Sequence, residues 1–264
     1  MDQANSILER MAQLYRLKLK TMELQSQIEE LEELIFQAQY EQRDADEKLR
    51  TYESGSLGAL FHKISGKYES NLEEYHRASR LAANKLEQLK RQKQIHESDV
   101  LQNQEELTAL PDCEAQYALA LQTDELDSKQ LQVRGAAIKA AFCGKVALHL
   151  LEDNKKALLL ARSSIKKGVS AGSLHAAYAR DQALERADHC ANACSEYVRE
   201  LNQYLPVLEI ELMQLGEYFI SPTSYIVGAV SEWAWLDRIS SALEQIAKGK
   251  ETLQHVLALL EDVS

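Results

Sequence analysis

Asp188, His189, Cys190 and Cys194 place a carboxylate, an imidazole and two thiols within seven residues. Thiols at i and i+4 share one face of a helix, and thiolates with imidazole are ligands that Zn²⁺ accepts. If two helices fold back on each other around residue 169, Cys143 comes opposite Cys194 and Ala147 opposite Ala191. Cys143, His189, Cys190 and Cys194 are then the candidate metal ligands. The competing reading is structural, because Cys is among the most buried residue types and Cys194 occupies an apolar position of a helical repeat. The sequence favours the structural reading, and no cofactor is expected.

Other catalytic patterns fail on spacing. Gly58 and Gly66-Lys67 are separated by seven residues rather than the four of a phosphate loop, and Tyr68 stands where a Ser or Thr would hold Mg²⁺. The Gly144-Lys145 pair falls inside a helical pattern. The 7 histidines include no HExxH, no Gly-x-Ser-x-Gly elbow occurs, and Glu29, Glu30, Glu32 and Glu33 read as solvated flanks of a coil. The expectation is a protein that is not an enzyme and has no catalytic residues.

Two surface features point to binding instead. Leu57, Leu60, Phe61 and Ile64 recur at i, i+3, i+4 and i+7, an apolar stripe inside the segment SGSLGALFHKISGK. Large apolar groups at such a place need cover from the rest of the fold, from a partner, or from a lipid surface. With Lys63 and Lys67 beside them they form the candidate partner or membrane contact. A second feature is the stretch from Asn154 to Arg180, which holds six basic residues and no acidic one in a chain of net charge -11. Part of that run, Lys166 and Lys167, is expected at a helix C-terminus from the macrodipole alone.

The elements that carry these groups follow from periodicity. Ile7, Arg10, Leu14, Leu17, Thr21, Leu24, Ile28, Leu31, Ile35, Ala38, Gln42, Ala45, Leu49 and Tyr52 alternate steps of three and four, as do Tyr68, Leu72, Tyr75, Ser79, Ala82, Leu86, Leu89, Lys93, His96, Val100, Asn103, Leu107 and Leu110. Spacing that averages 3.5 keeps a seam on one side of a helix and predicts a left-handed coiled coil. Folding the chain back near residue 60 pairs Tyr52 with Tyr68, Ile35 with Leu86, Leu31 with Leu89 and Leu14 with Leu107. An antiparallel hairpin thus spans residues 1–110, with its tip at 54–67 and with Ile28, Leu31, Ile35, Leu86 and Leu89 in its seam. Polar seam residues Gln42, Ser79, Lys93, His96 and Asn103 either fix the register or face a further helix.

Residues 111–264 read as a three-helix layer packed on the hairpin as one elongated unit. Pro111-Asp112 stops one helix and caps the next, which should run unbroken to about Lys167. Gly135, Ala136, Ala140, Gly144 and Ala147 give that helix a small-residue face for close approach. Gly168 to Gly172 forms a break. The next helix continues through Leu184, Ala191, Cys194, Val198 and Leu201 to Leu215, kinked at Pro206. A last helix uses Leu236 to Leu260 behind Trp233 and Trp235. The fold class is therefore all-α, an elongated up-down bundle of about five helices containing a long antiparallel coiled-coil hairpin.

Composition agrees. With 3 Pro and 10 Gly, breakers make up about 5% of the 264 residues, against about 12% on average. A sheet protein would need a turn every 8 to 12 residues or so. An excess of 41 acidic over 30 basic residues argues against nucleic acid as a partner. The opening residues lack the apolar core of a secretory signal, and the uncharged stretch between Glu217 and Glu232 is too short and polar to span a bilayer. Four cysteines in a chain of this size do not form a disulfide framework. A cytoplasmic, bacterial-type protein with reduced thiols is expected.

The tip residues Leu60, Phe61, Ile64, Gly66, Lys67 and Glu69, followed by Leu72 and Glu73, resemble a pattern in a family of uncharacterised bacterial long-helix coiled-coil proteins. There a short apolar turn and a Gly-Lys pair separate two long helices, and a tryptophan-bearing helix follows a Phe/Asp-rich turn. The segment around Phe219 and Trp233 is similar to the latter, with Ser221-Pro222-Thr223 in place of a more acidic turn. The resemblance implies this layout and no activity. The leading expectation is a non-enzymatic helical coiled-coil scaffold or protein–protein interaction protein, its partners unidentified and a second copy of the chain among the candidates. A membrane-associated protein using the tip and a metal-binding bundle are the alternatives.

Overall fold

The computed structural model describes residues 2–55, 68–110, 112–123, 125–171, 174–210 and 232–263. They form α1 (Asp2–Glu53), α2 (Tyr68–Ala109), α3 (Cys113–Thr123), α4 (Glu125–Ala171), α5 (Leu174–Tyr204), a 3-10 turn (Leu205–Leu208) and α6 (Glu232–Val263). There is no strand among the described residues, so the fold is all-α. None of the described helices is long and apolar enough to cross a membrane.

The chain forms two compact units, one comprising Lys20–Thr108 and the other Met1–Leu19 with Ala109–Ser264. The first turns of α1 therefore group with the C-terminal part of the chain and not with the hairpin arm. Their apolar face explains this: Ile7, Leu8 and Met11 are buried in a cluster with Cys113, Tyr117 and Leu131.

In the hairpin unit every seam position from Thr21 to Tyr52 and from Tyr68 to Leu107 is buried or half-buried. The two arms run antiparallel. Tyr52 stacks on Tyr68 with ring centroids 5.2 Å apart, as the repeat requires, and also meets Tyr75 at 5.0 Å. Further along, Ser79 donates to Asp46 Oδ1 at 2.6 Å, Lys85 pairs with Glu41 at 2.6 Å, and Lys93 pairs with Glu32 at 2.7 Å. Polar seam residues Ser79 and Lys93 thus take partners from the opposite arm, which fixes register at a cost in apolar area. The first arm stops where Gly55 adopts φ 81, a left-handed conformation that glycine enters without steric cost. There the Arg50 and Tyr52 carbonyls accept from the Ser54 and Gly55 N–H groups.

The second unit is built on α4, which packs along both α5 and α6. Asp112 caps α3 by accepting the Ala115 N–H at 3.0 Å. The expected single helix from 112 to about 167 is instead two, α3 and α4, and α4 continues to Ala171. The small-residue face is present: Ala136, Ala140 and Ala147 are buried, and a Cβ at Gly135 or Gly144 would meet Tyr117 or Leu257 respectively.

Pro206 ends α5 rather than kinking it. The helix gives way to the 3-10 turn at Leu205, and Glu209 takes φ 57 while its N–H reaches the Pro206 carbonyl. A proline has no N–H for the helical ladder and its ring crowds the preceding turn. Leu205 and Leu208 remain buried across the change of helix type. Leu212 and Leu215 lie outside the described residues.

Candidate functional site: the hairpin surface and the thiol cluster

Tip residues Leu57, Leu60, Phe61, Lys63, Ile64 and Lys67 lie outside the described residues, as does Phe219. The seam candidates are described. Leu31 and Leu86 are buried and Ile28, Ile35 and Leu89 half-buried, so these five residues belong to the interior of the hairpin.

The hairpin also exposes large apolar groups that the heptad pattern leaves outside the seam. Phe36 and Tyr40 on α1 are 60% and 70% exposed, and Leu81 and Ile95 on α2 are 62% and 59% exposed. Phe36 and Tyr40 are four residues apart, and Leu81 and Ile95 are separated by two heptads, so each pair shares a helix side. The sequence signal was available as apolar residues at non-seam positions.

The thiol cluster is arranged differently from the sequence expectation. Cys143, Cys190 and Cys194 are buried, whereas His189 is exposed. Cys194 Sγ donates to the Ala147 carbonyl at 3.4 Å, and Cys143 is hydrogen-bonded to Glu200. Ala147 was expected opposite Ala191, and Cys143 opposite Cys194. The α4–α5 pairing is therefore shifted by about one helical turn, because α4 runs on to Ala171 and moves the fold-back point. Burial, reinforced by Glu200, pushes the Cys143 thiol up to about 12, and burial beside Cys190 pushes Cys194 up to about 12. Thiols held protonated in this way are poor nucleophiles. Among the described residues no group of three or more His, Cys, Asp or Glu side chains is placed to hold a metal ion.

Two members of the basic run are neutralised by carboxylates just beyond its ends. Lys156 pairs with buried Asp153 at 3.4 Å, and Arg180 pairs with Asp181 at 2.7 Å while lying over the Trp235 ring. The run in sequence therefore does not amount to an equal run of free positive charge.

A polar-aromatic junction in the second unit has no counterpart in the sequence reading. Tyr15 donates to Glu114 Oε1 at 2.9 Å and stacks on Phe142, which meets Tyr197 edge-on. Tyr204 donates to Glu200 at 3.1 Å, and Lys139 lies over the Tyr117 and Tyr204 rings. Burial raises the tyrosine hydroxyls, and the carboxylates they serve add to the shift for Tyr15 and Tyr204. Burial also acts upward on Glu114, but the Tyr15 hydroxyl and the Lys18 ammonium outweigh it and hold the carboxyl below its ordinary value. These groups tie α1, α3, α4 and α5 together through hydroxyls that stay protonated. No family model, curated protein or solved structure matches the chain.

Proposed function

We propose that the protein is a non-enzymatic helical scaffold, with the hairpin unit as its protein-binding element. The observation that carries this reading is the combination of a complete seam with large apolar side chains outside it. Packing of the two arms is satisfied by the heptad positions, yet Phe36, Tyr40, Leu81 and Ile95 are more than half exposed. Apolar groups on the outer face of a coil gain by being covered, and aromatic groups such as Phe36 and Tyr40 are enriched at interfaces. The protonated state favoured for Cys143 and Cys194 adds support by removing the thiols as ready nucleophiles.

Photocrosslinking residues introduced singly at positions 36, 40, 81 and 95 test the proposal, with the exposed Arg43 and Lys90 positions as controls. Discrete covalent adducts to one protein, or to a second copy of the chain, are expected at the apolar positions and not at the controls. Absence of a discrete adduct at all four positions refutes the scaffold reading.

A further inference from the structure

Outside the hairpin, α1, α4 and α6 enclose a half-open groove of about 370 Å³, within the size range of small-ligand sites. The α1 side contributes Ala12, Arg16 and Leu19, spaced so that they face one direction. From α4 come Ala141, Phe142 and Lys145, and α6 closes the third side with Leu257 and Leu260. Small alanines make the space, and the larger apolar groups wall it.

Charge at the rim selects among apolar occupants. Arg16 and Lys145 are both exposed and have no ion pair among the described residues, whereas Glu261 is the single acidic lining residue. Two available cations beside an apolar groove in a chain of net charge -11 are complementary to a compact anion with an apolar tail. From Ala12 to Leu19 the groove follows two helical turns, about 10 Å. An average helix of about 11 to 12 residues would overrun it, so the dimensions favour a small molecule over a docked helix. We propose that this groove binds a single-chain anionic amphiphile of the medium-chain carboxylate class, with its tail on the alanine floor and its headgroup between Arg16 and Lys145. This site is separate from the hairpin surface and does not depend on the scaffold proposal.

Titration calorimetry of the full chain with hexanoate, octanoate, decanoate, decanol and decyltrimethylammonium, all below their micelle concentrations, tests it. Decanoate is expected to bind at one site, with each added methylene along the carboxylate series tightening binding by about fourfold. Decyltrimethylammonium should bind at least about tenfold more weakly than decanoate. The exposed double substitution Arg16→Glu/Lys145→Glu should weaken decanoate about tenfold or more and leave decanol unchanged, with the helical circular dichroism of the wild type. Ala141→Phe, which fills the groove, should abolish both. The proposal is overturned if decanoate does not bind, if the cationic amphiphile binds equally, if Arg16→Glu/Lys145→Glu binds decanoate as tightly as the wild type, or if either ligand still binds Ala141→Phe. Binding of an acidic amphipathic helical peptide with no uptake of decanoate would also overturn it and assign the groove to a protein partner.

Discussion

Two glycines in α4 should respond oppositely to the same substitution. A Cβ on Gly135 would lie 2.2 to 2.4 Å from the Tyr117 hydroxyl and ring, whereas one on Gly144 would lie 2.9 Å from Leu257 Cδ2, the end of a flexible side chain. In a helix interior Gly→Ala is worth about 1 kcal/mol of propensity. At Gly144 a small shift of Leu257 keeps most of that gain, so Gly144→Ala should be neutral or stabilising by up to about 1 kcal/mol. At Gly135 the ring is buried and its hydroxyl is held near the Leu131 and Gln132 carbonyls, both at 3.4 Å. Overpacking of a well-filled site costs about 1 to 3 kcal/mol. Because the contact is far inside van der Waals distance, the upper end applies, and the net effect is about 2 kcal/mol of destabilisation. For a unit of this size that lowers Tm by roughly 4 to 8 °C. Urea unfolding followed by circular dichroism measures both variants, and the double variant Gly135→Ala/Tyr117→Leu should recover part of the loss, whereas Tyr117→Phe, which keeps the offending ring atoms, should not. Equal stabilisation by the two Gly→Ala changes would refute the close approach of α3 to α4.

Further outcomes follow from other contacts. Asn103 is 2% exposed in the hairpin seam with its Nδ2 unpartnered, so Asn103→Leu should raise stability in urea by about 1 to 2 kcal/mol while loosening register, read as a wider spread of inter-arm disulfide crosslinks. Glu209 holds a left-handed φ of 57, and Glu209→Gly should add about 0.5 to 1 kcal/mol in the same assay. Tyr52→Ala removes a buried ring stacked on Tyr68 and, with a cost near 3 kcal/mol, should speed amide exchange at residues 49–53 and 68–75. The depressed Glu114 carboxyl contributes stability that is present above its unfolded value of about 4.3 and is lost as pH falls through the folded value. Glu114→Gln should therefore narrow the gap in unfolding free energy between pH 7 and pH 3 measured in urea, by well under about 1 kcal/mol because the side chain is nearly half exposed.

The seam of the hairpin was legible because a coiled coil repeats one physical demand: each a and d position must be apolar or find a partner on the other arm. The same repeat could not show that Ile7, Leu8 and Met11 pack with Tyr117 and Leu131, since a heptad records which face is buried and not against what. The Asp112 cap and the small-residue face of α4 were legible from local chemistry. The α3–α4 break was not, because no proline or glycine lies between Gln122 and Ser128 to announce it. The shift of Cys143 from Cys194 to Glu200 has a similar origin: Gly168 looks like a stop in the sequence, but α4 passes through it to Ala171. Helix propensity sets only about 1 kcal/mol against an interior glycine, which tertiary packing readily exceeds.

The hairpin separates residues required by the fold from residues that await another explanation. The seam from Thr21 to Tyr52 and from Tyr68 to Leu107 meets the apolar demand of the pairing, and outer positions of α1 and α2 add cross-arm ion pairs such as Lys85–Glu41. Charged residues there serve solubility, and Lys48–Asp44 and Arg91–Glu87 are ion pairs of that kind. Phe36, Tyr40, Leu81 and Ile95 do the opposite, adding apolar area to solvent without completing the seam. A fold that already meets its core demands with heptad residues gains little from keeping them, whereas a surface that binds a partner does gain. That asymmetry, rather than the length of the helices, gives the scaffold reading its physical content, and it makes these four side chains the place where the reading fails or holds.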